Sequence, residues 1–191
     1  FSSIEGADAY EAELRAIRAF YYFHLLDMFG NVPLSTDFTD TETKPNSTRS
    51  EVYNFVKSEL DTVIPLLSDK KDATTYGRIN KWAALAIRMQ LQLNAEVYTG
   101  TAQWAAAKAD ADAIINSGLY SLEAVYSDNF KEQNEGSSEN IFVVPYDEVF
   151  ASGFNWVAMT LHYASQNTFN LTFQPWNGYA TVEEFYNSYV D

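Results

Sequence analysis

The stretch NKWAALAIRMQLQLNAEVYTGTAQWAAAKADADAIINSG (80–118) reads as a helical hairpin. Asn80 can cap one helix, whose face runs Trp82, Leu85, Met89, Leu93 and Val97 and which Gly100 closes. Thr101 can cap a second, Ala102 to Ser117, lined by Ala105, Ala106, Ala109, Ala113 and Asn116 and closed by Gly118. Small side chains along that line would let the two helices sit close. Trp82 and Trp104 stand at helical positions, where packing is the expected role of a large aromatic.

Upstream, Tyr10, Leu14, Ile17, Tyr21, Leu25 and Met28 recur at steps of three and four, one face of a helix. Gly30 suits the left-handed position after it, and Pro33 blocks a restart. An acidic, Thr-rich loop (Thr36 to Pro45) follows. Thr48 and Glu51 match a capping box ahead of Val52, Val56, Leu60, Val63 and Leu67. Pro65 predicts an end or kink near Ile64. Residues 1–118 thus hold two successive helical hairpins, the minimal signature of a tetratricopeptide-type stack. Two pairs fall short of the roughly three such stacks need. Cover for the exposed face is expected from 119–191 or from sequence outside the chain, and 119–191 is read as part of the same domain.

The chain of 191 residues carries 12 basic and 26 acidic side chains, a net charge of −14. At 47% hydrophobic and 16% aromatic it has the means for a sizeable core. Its acidity argues against a nucleic-acid partner or an anionic membrane surface, since both are bound by clustered Lys and Arg. No Cys occurs, which excludes disulfides, thiolate metal sites, cysteine catalysis and any cysteine-linked lipid within this chain. No signal-peptide pattern appears, and no apolar run approaches the roughly 18 residues of a membrane span. Beginning at Phe1, the chain reads as a piece of a soluble protein, with any export signal or anchor expected upstream.

Charge divides the sequence. Lys131 is the last basic residue, whereas Glu132, Glu135, Glu139, Asp147, Glu148, Glu183, Glu184 and Asp191 follow it. The same region is dense in aromatics and amides, Asn155 and Asn187 among them. Ile141 to Val144 predicts a short strand ended by Pro145. Phe150 to Tyr179 reads mostly as loop, and Val182, Phe185, Tyr186 and Tyr189, within 182–190, have helical spacing. The expected fold class is mainly α: tetratricopeptide-like hairpins, then a loop-rich region with one short strand.

Several blocks together resemble the RagB/SusD family. AELRAIRAFYYFHLLDMFGNVPL (12–34) is similar to that family's opening LRA, paired-aromatic and FG-x-VPL pattern. GRINKWAALAIRMQLQL (77–93), WAAAKADADAIINSGLYSL (104–122), the turn at Tyr126 to Phe130, SSENIFVVPYD (137–147) and NGYATVEEFYNSYVD (177–191) follow in the family's order. The family is longer, so the chain resembles a middle portion of it. The resemblance implies a lipoprotein of the Gram-negative outer membrane, exposed at the cell surface. It also implies binding of a glycan and delivery to a TonB-dependent (SusC-like) transporter, with tetratricopeptide-like hairpins against the transporter. The membrane would be reached only through a lipid anchor on a Cys that this chain lacks. Glycan contacts vary within the family, so no binding residue carries over.

Sugar recognition needs flat apolar surfaces for C–H faces and orienting polar groups for hydroxyls, which Trp, Tyr, Asn and Gln supply. The candidates are Trp156, Tyr163, Gln166, Trp176, Asn177 and Tyr179, with Asn167 beside them. The competing reading puts Trp176 and Tyr179 in the core of a loop-rich region, and burial is the commoner fate of such rings. A glycosidase needs two carboxylates about 5 to 9.5 Å apart across a cleft. Glu183–Glu184 and Asp147–Glu148 are sequence neighbours and read as solvated surface. His24 and His162 have no metal-binding spacing, and neither a GxSxG elbow nor a phosphate loop exists. His24 is expected at the edge of the core. Asp37, Asp40 and Glu42 lack EF-hand spacing, so a hydrated loop is expected there, and no cofactor or metal is implied. Arg15, Arg18 and Arg88 are expected to pair with acids such as Glu11. Two functions follow: a non-catalytic glycan-binding surface protein, or a helical-repeat interaction scaffold without a sugar role. An enzyme ranks behind both.

Overall fold

A row of alanines, not the face expected from Tyr10 to Met28, sets the first helix against its neighbour. In the computed structural model, which describes residues 6–147, 149–153 and 156–189, α1 (Ala7–Phe29) buries Ala7, Ala12, Ala16, Ala19, Phe23 and Leu26. The expected face is instead turned outward: Tyr10, Leu14, Tyr21 and Met28 are exposed, while Ile17 and Leu25 are half-buried. The alanine row lets α1 approach α2 (Arg49–Val63) closely, and beside it the Tyr22 ring meets Phe55 of α2 edge-on at 5.1 Å.

Helix α2 follows its sequence signals. The Thr48 hydroxyl accepts the Glu51 N–H, and the Glu51 carboxylate accepts the Thr48 N–H at 2.7 Å, so both arms of the capping box form. Val52, Val56, Leu60, Val63 and Leu67 are all buried. Beyond Val63 the chain tightens into a 3₁₀ turn (Ile64–Leu66) around Pro65. Facing α1, the buried Glu59 accepts Arg15 Nη2 at 2.7 Å and also pairs with Arg18. Glu11 is therefore not the main partner of these arginines.

The 80–118 hairpin forms with altered faces. Asn80 caps α3 (Lys81–Leu93) by accepting the Ala83 N–H at 2.9 Å. Asn94 then breaks the helix, and a short α4 (Ala95–Thr99) runs to the left-handed Gly100. Trp82 and Leu85 are buried as expected, but Met89 is half-buried and Leu93 and Val97 are exposed. With α2 and α5 both against it, α3 buries Ala83, Ala84, Ile87 and Leu91 as well.

Helix α5 (Trp104–Asn116) starts two residues later than its alanines suggest, after Gln103. Thr101 is not its cap: its N–H goes to the Thr99 hydroxyl at 3.1 Å. Ala107, Asp110 and Ile114 are buried, whereas Ala105, Ala109, Ala113 and Asn116 are exposed and Ala106 is half-buried. The rotation follows an ion pair that alanine spacing could not announce. Asp110 holds Arg88 of α3 in a two-bond fork at 2.6 and 2.8 Å, and Arg88 also reaches Asp61 at 2.9 Å. Trp104, expected to pack, is exposed.

Within residues 119–144 the chain returns to the helices. Tyr120, Ile141 and Phe142 pack on the helical core, with Phe142 edge-on to Phe20 at 5.6 Å. Lys71 sits over the Tyr120 ring at 4.2 Å and donates to the carbonyls of Ser138 (2.9 Å) and Leu119 (3.3 Å). Burial lowers the pKa of this lysine. The strand expected at 141–144 does not form: the chain bends at Ile141 and Phe142, whose side chains pack on the helices, and Val144 is exposed. Among the described residues, β pairing is limited to the isolated bridges Val32–Ser47 and Asp147–Ala151.

The chain divides into two compact units, Phe1–Val144 and Pro145–Asp191. Within the second lie α6 (Trp156–Thr160), a 3₁₀ turn (Tyr163–Gln166) and α7 (Glu183–Tyr186). The helical spacing expected from Val182 onward yields only that one turn. Glu148, Asn155, Val190 and Asp191 lie outside the described residues.

Candidate functional site

The second unit is organised around the carbonyls at the end of α6. A five-residue helix leaves its last carbonyls without partners inside the helix. The segment after Pro175 supplies them. Trp176 N–H donates to the Ala158 carbonyl (2.6 Å), Asn177 N–H to Leu161 (3.1 Å), and Gly178 and Tyr179 N–H to Met159 (2.7 and 2.9 Å).

Two local features allow this register. Asn177 takes a left-handed conformation (φ 51°), which Asn tolerates better than most side chains. At Gly178 a Cβ would fall 2.2 Å from Met159 Cε, so a side chain there would displace the methionine.

The docked segment carries the Tyr179 ring to Trp156, the first residue of α6. The rings stack with centroids 5.6 Å apart and planes 25° from parallel. Trp156 is 61% exposed, Tyr179 51% and Trp176 55%. Burial, the commoner fate of such rings, is not what happens here; in this unit Ala158 and Pro175 are buried instead.

Trp156, Trp176, Asn177 and Tyr179 therefore share one hydrogen-bonded scaffold. Tyr163 and Gln166 belong to the next turn. The Tyr163 ring lies against His162 at 4.0 Å and is exposed. The half-buried Gln166 closes its own loop: its backbone carbonyl accepts the Leu171 N–H at 3.0 Å and its side-chain Nε2 donates to the Leu171 carbonyl at 3.4 Å. Its amide serves the turn. His162 Nδ1 accepts the Ala164 N–H at 3.1 Å, fixing the same turn from the other end.

The carboxylates are placed for structure. Asp147 accepts the N–H groups of Phe150 (2.7 Å) and Val149 (2.8 Å), which hold its pKa below the usual carboxylate range. Glu183 and Glu184 stand in the exposed first turn of α7. In the first unit, Asp37 accepts from the hydroxyl and N–H of Thr39, and Asp40 pairs with Lys44. Among the described residues, no group of three His, Asp or Glu side chains is arranged to hold a metal ion.

One feature of the first unit escaped sequence reasoning. Glu11, Leu14, Arg15, Arg18, Thr36 and Phe38 line an open cleft of about 600 Å³ beside α1. Its signal was Phe38, an isolated aromatic in an otherwise polar loop.

Comparison with known proteins bears on the whole arrangement. Residues 5–93 match a family described as "Starch-binding associating with outer membrane". Starch-binding protein SusD of Bacteroides thetaiotaomicron is 32% identical over 135 residues, 69% of this chain and 24% of that protein. The chain resembles a portion of a RagB/SusD-family protein. Its SusD-like fold extends further than the family match. A SusD superfamily structure from Bacteroides fragilis superposes with a TM-score of 0.69 at 25% identity, covering 83% of this chain and 34% of that one. Surface glycan-binding protein A from Bacteroides thetaiotaomicron, solved in complex with laminarihexaose, gives 0.65 at 27% identity, covering 80% and 32%. The chain spans about a quarter of the length of the curated SusD-like relatives it matches. The family match ends at the last residue of α3, so it leaves the aromatic scaffold of the second unit outside.

Proposed function

We propose that this chain contributes a non-catalytic glycan-binding surface to a protein of the outer-membrane exterior. That protein passes oligosaccharide or polysaccharide to a TonB-dependent, SusC-like transporter. The carrying observation is the exposed Trp156–Tyr179 stack with Trp176 on the same scaffold. Stacked, solvent-facing rings offer the flat apolar surface that a pyranose C–H face needs, and the backbone bonds to α6 fix them in advance. The names of the relatives support the reading: one is called starch-binding, another surface glycan-binding and complexed with a glucose hexamer. Attachment to the membrane would come through a lipid outside this chain; among the described residues no helix is long and apolar enough to cross one.

A scaffold for protein contacts is the second reading. It is favoured by the outward face of α1, where Tyr10, Leu14, Tyr21 and Met28 stay exposed.

Affinity-gel electrophoresis against a panel of polysaccharides tests the choice. Retardation by at least one glycan, lost in Trp176→Ala, is the expected result. No retardation by any of them, repeated in the full-length protein, would favour the scaffold.

A further inference from the structure

We infer that the ring platform takes an uncharged glycan and rejects uronate- or sulfate-bearing ones; this rests on the glycan reading above. Proteins hold sugar carboxylates and sulfates with Arg or Lys, with free backbone N–H groups, or with helix N-termini. The second unit lacks the first, and beside the rings several of the second and third are taken up. From Glu132 onward the sequence contains no Lys or Arg, and from Pro145 it carries Asp147, Glu148, Glu183, Glu184 and Asp191.

Four backbone donors of the ring-bearing segment are already engaged. The N–H groups of Trp176, Asn177, Gly178 and Tyr179 all point into carbonyls of 158–161. Those of Val149 and Phe150 are bound by Asp147. Glu183 and Glu184 fill the first turn of α7, where the helix dipole would otherwise favour an anion. His162 Nδ1 accepts the Ala164 N–H, so that nitrogen is taken up within its own turn. The ring-bearing segment offers aromatic surface and the amide side chain of Asn177, a set suited to C–H faces and neutral hydroxyls.

The test uses matched pairs of polymers with the 191-residue chain: hydroxyethylcellulose with carboxymethylcellulose, laminarin with sulfated laminarin, and dextran with dextran sulfate. For the pair whose neutral member binds, the charged member should bind at least about tenfold more weakly. The gap should narrow in high salt, because screening weakens repulsion between like charges. Thr181→Lys, which puts a cation at an exposed position two residues from Tyr179, should strengthen binding of the charged member and leave the neutral one unchanged. Equal or tighter binding of the charged polymer by the unaltered chain would overturn the inference and leave glycan binding standing. So would a gap that neither salt nor Thr181→Lys narrows, since that would mark bulk rather than charge. If no member of any pair binds, the glycan reading itself fails and the inference falls with it.

Discussion

The indole of Trp156 and the phenol of Tyr179 lie one against the other, 5.6 Å between centroids, and both remain more than half exposed. Neither residue brings the other there. The pairing is made by backbone bonds from 176–179 to carbonyls of 158–161, so the rings are held by main chain rather than by burial. A surface fixed in this way loses little conformational entropy when a ligand lands on it.

Asn177 should matter through its backbone first. In its left-handed conformation a β-branched side chain is strained, so Asn177→Val should loosen the segment and weaken glycan binding by about tenfold, roughly 1.4 kcal/mol. Asn177→Gly keeps the conformation and removes the amide. If it binds as tightly as the unaltered chain, the amide does not touch ligand; if it matches the Val variant, the amide does. Titration calorimetry reads both.

Leu60 and Leu14 separate the face that α1 and α2 bury from the face α1 shows to solvent. Leu60 is fully buried, and Leu60→Ala should cost about 2–5 kcal/mol in denaturant unfolding. Leu14 is 60% exposed, and Leu14→Ala should stay within about 0.5 kcal/mol. Equal costs would mean that the aromatic face of α1 is the packed one.

Glu59 should make the helical unit acid-sensitive. Burial alone would raise its pKa, but hydrogen bonds from Arg15 and Arg18 outweigh that and hold it below the ordinary value. A carboxylate depressed on folding contributes stability above its unfolded pKa, near about 4.3, and loses it as pH falls through the folded value. Melting temperature should therefore fall below about pH 4.3, and Glu59→Gln should be less stable at pH 7 with a shallower acid slope. Parallel acid slopes for the two proteins would remove Glu59 from the explanation.

Thr48→Ala should destabilise by about 1 kcal/mol, and Glu51→Ala by a similar amount. Because both belong to one reciprocal cap, the double variant should cost less than the sum. Strict additivity in chemical denaturation would show that the two arms act independently.

How far these elements could be read from sequence follows from how many solutions each allowed. Helix α2 had one apolar face and one capping box, so its bounds and core residues were legible. Helix α1 had two candidate faces, aromatic and alanine, and periodicity alone does not choose between them; the close approach of α2 does. The face of α5 turned on Asp110 and Arg88, a long-range ion pair with no local pattern. Trp156, Trp176 and Tyr179 were legible as residue types suited to sugar, but their exposure was not. It depends on bonds between 158–161 and 176–179, which local sequence does not encode.

A double-mutant cycle on Trp156 and Tyr179, read as Kd for a neutral oligosaccharide that the chain binds, tests most directly whether these rings form one sugar platform. If they do, Trp156→Ala and Tyr179→Ala each weaken binding about tenfold or more. The pair should then show a coupling of at least about 0.5 kcal/mol, with the helical unit's melting unchanged. Binding that survives the loss of both rings at its original affinity would contradict the platform outright.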